Sequence, residues 1–479
     1  MSQTLAEPPG AVPAAPPRPG LIVAVLAFAG IVIAGMQTLV IPVVPELPRL
    51  LDASPSDTAW AVTATLLAAT IATPIVGRLA DMYGKRRMLL ASLAVMAAGS
   101  AVAALAASLA PLIVGRALQG LSAGVIPLGI SIMRDELPKE RLGAATATMS
   151  SSLGIGAALG MPVAALIADK ADWHVLFWTS AGLGAIAFVL VSVFVPASRT
   201  HPGGRFDLLG GLGLSAALVC LLLAISKGSD WGWGGGTVLG LFAAAIVLLA
   251  AWGRYELRVA EPMVDLRAAA RRQVLLTNLA SAIFGFAMFS IQLALPQLLQ
   301  TPEATGYGLG RSMLVAGLAM APQGLVMFLV AKPSARISAA RGAKFTLMLG
   351  AFVVAAGYLL GVFLMAQIWQ LVLVSCVIGA GIGLAYGSIP TLVMAAVPVS
   401  ETAAANSLNV LIRGFGTTVA SAVAGLILAN VTMTLGHAEL PSQGAFRIVL
   451  AIGAVAALAA MAVAAFLPRR AHGSVRAHH

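Results

Sequence analysis

Eighteen acids, twenty-nine lysines and arginines, six histidines and two cysteines are spread over 479 residues, and the places where they gather decide what chemistry is open to the chain. The tightest gathering reads Gly77-Arg78-Leu79-Ala80-Asp81-Met82-Tyr83-Gly84-Lys85-Arg86-Arg87. Asp81 is a lone carboxylate among four cations. Such a group can accept hydrogen bonds from a helix N-terminus or from an arginine, and either bond would latch two helices together. Gly77 and Gly84, seven apart, permit a tight reversal because each takes a positive φ without a Cβ penalty. The plainer reading is a basic loop with no latch. A second gathering, Arg116-Ala117-Leu118-Gln119-Gly120, lies in an apolar run. An arginine there lines a polar cavity or finds a partner, unless it snorkels outward from the helix end. No Walker motif, no Gly-x-Gly-x-x-Gly at a strand end and no metal-ligand spacing occurs. The chain is therefore expected not to be an enzyme and to need no cofactor and no metal. Cys220 and Cys376 sit in apolar segments as packing residues, and His472, His478 and His479 belong to the C-terminal tail.

The elements that must hold these residues follow from composition. The chain is 59% hydrophobic and only 10% charged, with a mean hydropathy of +0.95. A soluble surface needs roughly a quarter of its residues charged, so this surface must face lipid. A bilayer core of roughly 30 Å takes about 20 apolar helical residues. Fourteen segments meet that length: 21–45, 58–79, 88–109, 112–133, 143–168, 175–196, 208–226, 235–252, 274–297, 313–331, 345–365, 370–395, 409–430 and 446–467. The glycine-rich stretch Gly228–Gly236 blurs the seventh and eighth, and removing both would leave twelve. The fold class is all-α, a polytopic membrane protein with 14 transmembrane helices. The net charge of +11 does not indicate a nucleic-acid partner, because the cations sit in short clusters between apolar runs rather than in a stripe interleaved with aromatics. With the N-terminus placed in the cytoplasm, cytoplasmic segments hold 22 basic residues and external loops five: Arg49, Lys170, Lys227, Arg311 and Arg447. That bias places both termini inside. Residues 1–20, where Glu7 precedes Pro8 rather than a basic n-region, are expected to be a disordered tail, as are 468–479.

The Gly77–Arg87 segment resembles the motif between the second and third helices of the major facilitator superfamily. Arg116 to Gly120, with Gly124, resembles the fourth-helix motif of that family. Trp60-Ala61-Val62-Thr63-Ala64 and Glu261-Pro262-Met263-Val264-Asp265-Leu266-Arg267 resemble segments of its fourteen-span drug:proton antiporter branch. Gly154, Gly156, Gly160 and Pro162 resemble the fifth-helix antiporter motif imperfectly. The proline stands one place late, and Ala164 and Ala165 replace a glycine pair. Generic close packing of small residues is the other reading of these positions. A faint internal repeat aligns Gly342 with Gly84, Arg336 with Arg78 and Lys344 with Arg86, while Ala339 stands at the position of Asp81. In the second half, Asn409 and Arg413 occupy the place that mirrors the fifth span. The resemblance implies two pseudo-symmetric six-helix bundles, 21–196 and 274–467, with two extra central helices over 208–252. It implies secondary transport by alternating access around a midplane site, with efflux driven by the proton gradient and the protein acting as a monomer in the bacterial cytoplasmic membrane.

The first span departs from that pattern. Gly35-Met36-Gln37-Thr38 through Pro45 resembles the first-helix motif, yet Met36 stands where many members of the branch carry an aspartate. No acid lies in the middle of any predicted span, although a membrane carboxylate is the usual proton carrier. Proton coupling must then use a peripheral acid such as Glu46, or act indirectly through Asp81 or Arg116. Glu46 is equally open to the reading of a solvated cap. The cargo is expected to be neutral, amphiphilic or anionic rather than dicationic. The cavity, with Met36, Arg116 and Arg413, would be lined by Gln37, Thr38, Gln119, Asn278, Gln292 and Gln323, polar groups that serve equally well as helix–helix hydrogen-bonding groups. Phe284, Phe286, Met288 and Phe289 read as packing or lipid contacts. Two other classes stay open: a lipid or lipid-precursor transporter of the same fold, and a membrane sensor or scaffold.

Overall fold

In lipid every backbone N–H and C=O must be paired inside the chain, so long apolar runs coil into helices. The computed structural model describes residues 19–40, 43, 47–53, 55–58, 60–197, 206–259, 262–398, 401–435 and 438–468. Among them, fourteen helices are long and apolar enough to cross a membrane. The first six are α1 (Pro19–Leu39), α2 (Trp60–Tyr83), α3 (Lys85–Ala104), α4 (Leu109–Glu136), α5 (Lys139–Lys170) and α6 (His174–Phe194). The central pair is α7 (Leu208–Trp231) and α8 (Gly236–Glu256). The last six are α9 (Arg272–Gln300), α10 (Leu314–Arg341), α11 (Ala343–Phe363), α12 (Ile368–Met394), α13 (Thr402–Asn430) and α14 (Gln443–Ala465). Both central helices are present, so the glycine-rich stretch separates two spans rather than erasing them.

Several boundaries differ from those expected. The reversal over 77–87 is far tighter than a loop: helix runs to Tyr83, resumes at Lys85, and leaves only Gly84 between, at φ 104°. Gly77 is helical and makes no turn. The repeat segment behaves alike, since Gly342, at φ 89°, alone separates α10 from α11. α4 contains a 3₁₀ turn, Leu121–Gly124, and α10 is interrupted at Val330. α13 begins at Thr402, seven residues before the predicted 409, because Ala403–Ala405 are good helix formers despite the polar residues Asn406 and Ser407. A short antiparallel hairpin, β1 (Thr432–Leu435) with β2 (Ala438–Pro441), bridges α13 and α14; an apolar count of spans gives no sign of it. The Tyr307 hydroxyl donates to the Pro441 carbonyl there, and partial burial raises its phenol above the ordinary range. The connection between α5 and α6 is also fastened, as the His174 ring meets Ala106 O at 3.1 Å and the His174 backbone N–H holds the Asp172 carboxyl below its usual range.

Two separate apolar cores give the molecule its halves. One is built from α9 to α14, with Phe284, Ile291, Leu347, Tyr358 and Phe446 fully enclosed. The other is built mainly from α1 to α6, around Leu26, Ile33, Met36, Leu89, Leu93 and Met96, with Met394 of α12 and Ala403 of α13 packed into it. The central pair packs mainly on itself and lies at the seam, where Leu214 and Leu218 of α7 meet Leu411 of α13. Most of α8 is left uncovered by protein, so that surface is left to lipid.

Candidate gate and central cavity

The end of the bundle that carries Lys85–Arg87 is the basic face. There Asp81, 4% exposed, closes the seam between the halves. Its Oδ2 accepts from the Ala404 N–H at 2.9 Å and its Oδ1 from the Ala403 N–H at 3.3 Å. Of the two partners open to a carboxylate here, the structure supplies the helix N-terminus, that of α13, whose first N–H groups have no intrahelical acceptor. One turn inward, Gly77 permits α13 to approach: a Cβ placed there would stand 2.6 Å from Ser407 Cβ. Arg134 of α4 ties the same corner, donating through Nη2 to Val397 O at 3.1 Å and through Nη1 to Thr402 Oγ1. Lys85 reaches back to Asp135 with Nζ 2.8 and 2.9 Å from its carboxylate oxygens, and both side chains are largely enclosed. Arg86 donates to the Ser192 carbonyl of α6. Arg78 is half-buried, and its Nε has no acceptor.

From this face to mid-membrane the halves stay in close contact. Gly324 of α10 lies against the Gly154 backbone and Ala158 of α5, and Gly154 against Met327. Gly387 of α12 meets Ala147. Gly156 and Gly160 serve the first half instead, allowing α5 to pack on α1 beside Gly35 and Thr38. Pro162 is accommodated in an unbroken α5.

The buried polar residues within the spans fall into two groups. Asn409 donates to Asn278 Oδ1 at 2.8 Å and accepts from Ser281 at 3.3 Å. One turn along α13, the Arg413 guanidinium lies 4.7 Å from the Tyr386 ring centroid, and Tyr386 donates to Met288 Sδ at 2.8 Å. Arg413, Tyr386, Asn409, Asn406 and Ser150 face a cleft between the halves that in this conformation holds about 10 Å³, one water's worth. The second group lies inside the first half. Arg116, 2% exposed, donates to Ala61 O at 3.0 Å and to Gln119 Oε1 at 2.7 Å. Gln119 donates to Ser100 Oγ at 2.8 Å. Arg116 therefore neither snorkels nor faces the cleft; it cross-links α2, α3 and α4.

The remaining expected positions are scattered. Met36 is 2% exposed within the first apolar core and does not line the cleft. Gln37 is exposed, Thr38 and Gln292 are half-buried, and Thr38 bonds its own Gly35 carbonyl. Gln323 is buried, with its backbone and Cγ against Gly379 of α12. Glu46 lies outside the described residues. Sequence reasoning missed Tyr386, Asn406 and Arg134; a cation on one half facing backbone carbonyls of the other leaves no mark in spacing. It also missed Glu256, whose carboxylate, 3% exposed, accepts from the Val264 N–H at 3.1 Å and the Met263 N–H at 3.3 Å. That contact explains the 262–266 segment as a loop folded onto the end of α8. Trp60, at the start of α2, takes Lys227 of α7 over its ring at 5.7 Å.

Comparison with known proteins locates this arrangement. The family model described as Major Facilitator Superfamily matches residues 26–328 and, a second time, 277–478. An uncharacterized MFS-type transporter of Mycobacterium tuberculosis is 28% identical over 425 residues, covering 87% of this chain and 60% of its own length; the chain thus spans about three-fifths of that relative. Multidrug resistance protein 3 of Bacillus subtilis is 25% identical over 382 residues, covering 78% of this chain and 72% of its own. The tetracenomycin C resistance and export protein of Streptomyces glaucescens is 26% identical, covering 50% of this chain and 45% of its own. Among solved structures, the human organic anion transporter MFSD10 superposes with a TM-score of 0.64 at 16% identity, covering 94% of this chain and all of that one. The proton:xylose symporter XylE does so with 0.64 at 15% identity, covering 94% and 96%.

Proposed function

This chain belongs to the major facilitator superfamily, as a membrane-spanning transporter, and from that premise we propose that it expels a neutral, amphiphilic or anionic small molecule from a bacterial cytoplasm at the expense of the proton gradient. The observation that carries the cargo class is the cleft between the halves. Its lining includes one cation, Arg413, with Tyr386 and two asparagines, and no carboxylate among the described residues. A dicationic drug would have to desolvate beside that guanidinium with no counter-charge, whereas an anion or a neutral amphiphile finds donors from Arg413, Asn406 and Asn409. Relatives named for multidrug resistance and for tetracenomycin C export favour the outward direction.

The basic face is taken to be cytoplasmic, from the lysine and arginine bias. The structure then corresponds to the state closed toward the cytoplasm. We place the proton at Asp81, because protonation of that carboxyl would discard the charge in its bonds to Ala403 and Ala404 and release α13 from α2. The test is flux in proteoliposomes under an imposed pH gradient, across cargoes matched in size but differing in charge. The expected order is anionic and neutral above dicationic. Arg413→Gln should lower anion flux at least about tenfold, the loss of one charge-assisted bond, while sparing neutral cargo. Preferred transport of dications, or flux indifferent to the pH gradient, would refute the proposal.

A further inference from the structure

Beside the latch, but separate from the central cleft, the basic face holds a cavity of about 250 Å³. Four pieces of chain wall it: Pro74 and Arg78 of α2, the loop and short helix over 262–269 that follow α8, Val274 of α9, and the corner leading into α13, including Ala405 and Leu408. Its walls are held in place without an occupant. Glu256 fixes the loop through the Met263 and Val264 N–H groups, and Asp265 caps the short helix Leu266–Ala269 by accepting from Ala268 N at 2.9 Å.

Most of the lining is apolar, and the exception with an unmet need is Arg78. Its Nε–H is shut away from solvent with no acceptor, and a buried donor left unpaired is destabilising until an acceptor meets it. Two acids stand on the lining, Asp265 exposed and Glu401 half-buried, and neither forms an ion pair with Arg78 among the described residues. The exposed arginines on the adjoining chain are engaged elsewhere, Arg267 donating to the Leu257 carbonyl and Arg272 to that of Phe466, so Arg78 is the cation on the lining.

We propose that this cavity binds an anionic amphiphile, its carboxylate or phosphate head on Arg78 and its tail against Pro74, Met263, Val264 and Leu408. Because α2 belongs to the first half and α13 to the second, the cavity exists only while the two are together. An occupant therefore binds the closed arrangement and not the open one, and by linkage must hold the latch shut. The volume suits a head and a short length of chain, so the source is either a free medium-chain acid or the upper part of a membrane lipid. This site makes no use of the central cleft and stands whatever cargo the transporter carries.

The experiment uses the full chain in neutral detergent with a diazirine-bearing decanoic acid as probe, read by peptide mass spectrometry. Labelling is expected within 262–274 and 401–408, displaced by decanoate and at least about tenfold less by decanol, which lacks the charge. Ala269→Phe, which fills the cavity from the linker side, should abolish it, and Arg78→Gln should weaken it about tenfold or more; a melting curve for each variant separates loss of the site from loss of the fold. Labelling that spreads over lipid-facing helices, or that survives Ala269→Phe in a folded protein, would overturn the site. Repeating the competition in nanodiscs identifies the source. Displacement by phosphatidylglycerol assigns the site to a membrane lipid, and probe binding undiminished by it assigns the site to a free acid. For the linkage, decanoate should narrow the distance distribution between spin labels at Arg87→Cys and Ala340→Cys toward the closed value, and an unchanged distribution would refute it.

Discussion

Asp81→Asn isolates the charge in the latch. In the closed arrangement the carboxylate accepts from two backbone N–H groups, at 2.9 and 3.3 Å, at the first turn of α13. The amide has nearly the same shape but one acceptor oxygen, and its NH₂ would face a donor. At least one charge-assisted bond is lost, roughly 1.5–3 kcal/mol, together with the attraction of a negative group to a helix N-terminus. The ionised side chain also carries a desolvation cost that the amide avoids, which argues for the lower end of the range. Even 1.5 kcal/mol changes the closed-to-open ratio more than tenfold. The assay is the spin-label distance between Arg87→Cys and Ala340→Cys on the two halves, in a background with Cys220 and Cys376 replaced by alanine. The closed population should fall by that factor, and transport should slow while losing its dependence on the pH gradient. An unaltered distance distribution together with full, pH-driven flux in a well-expressed mutant would mean that Asp81 carries no latch.

Arg116→Leu should lower the melting temperature and membrane yield rather than alter cargo preference, because it strands Gln119 Oε1 inside the first half, about 1–3 kcal/mol, while the Ala61 carbonyl keeps the Thr65 hydroxyl as donor; a thermal-melt series compared with cargo ranking checks this. Met36→Asp would bury a carboxylate in an apolar core, so a drop in folded protein with no gain of cation export is expected, as a flux assay on the surviving fraction would measure. Cysteines at positions 87 and 470 should resist an impermeant external thiol reagent in sealed cells, and labelling of either would reverse the assigned orientation. Glu256→Gln should loosen the 262–266 loop, since the amide can accept from only one of its two N–H groups at full strength, and faster backbone hydrogen exchange at Met263 and Val264 would register it.

The fourteen spans could be read from residue order because they follow from local rules. Twenty apolar residues in a row coil wherever lipid surrounds them, and the repeat left matching glycines, Gly84 and Gly342, each at positive φ between two helices. The same sequence marked Asp81 as an acceptor but left open from which partner, since the Ala403 N–H it meets is 322 residues away in the chain and hydrogen bonds at that separation depend on how two bundles meet. Polar residues in spans were ambiguous for the same reason. Arg116 and Arg413 are both arginines in apolar runs, yet one cross-links helices within a half and the other faces the seam between halves, a difference set by the rotation of each helix about its axis. Met36 shows this most plainly: its place in the first-helix pattern suggested a cavity position, and packing turned it into the core. Sequence determined how many helices cross the membrane and which residues had to be satisfied there; only the packing of fourteen helices against one another decided what satisfies them, because that choice rests on contacts that no local pattern encodes.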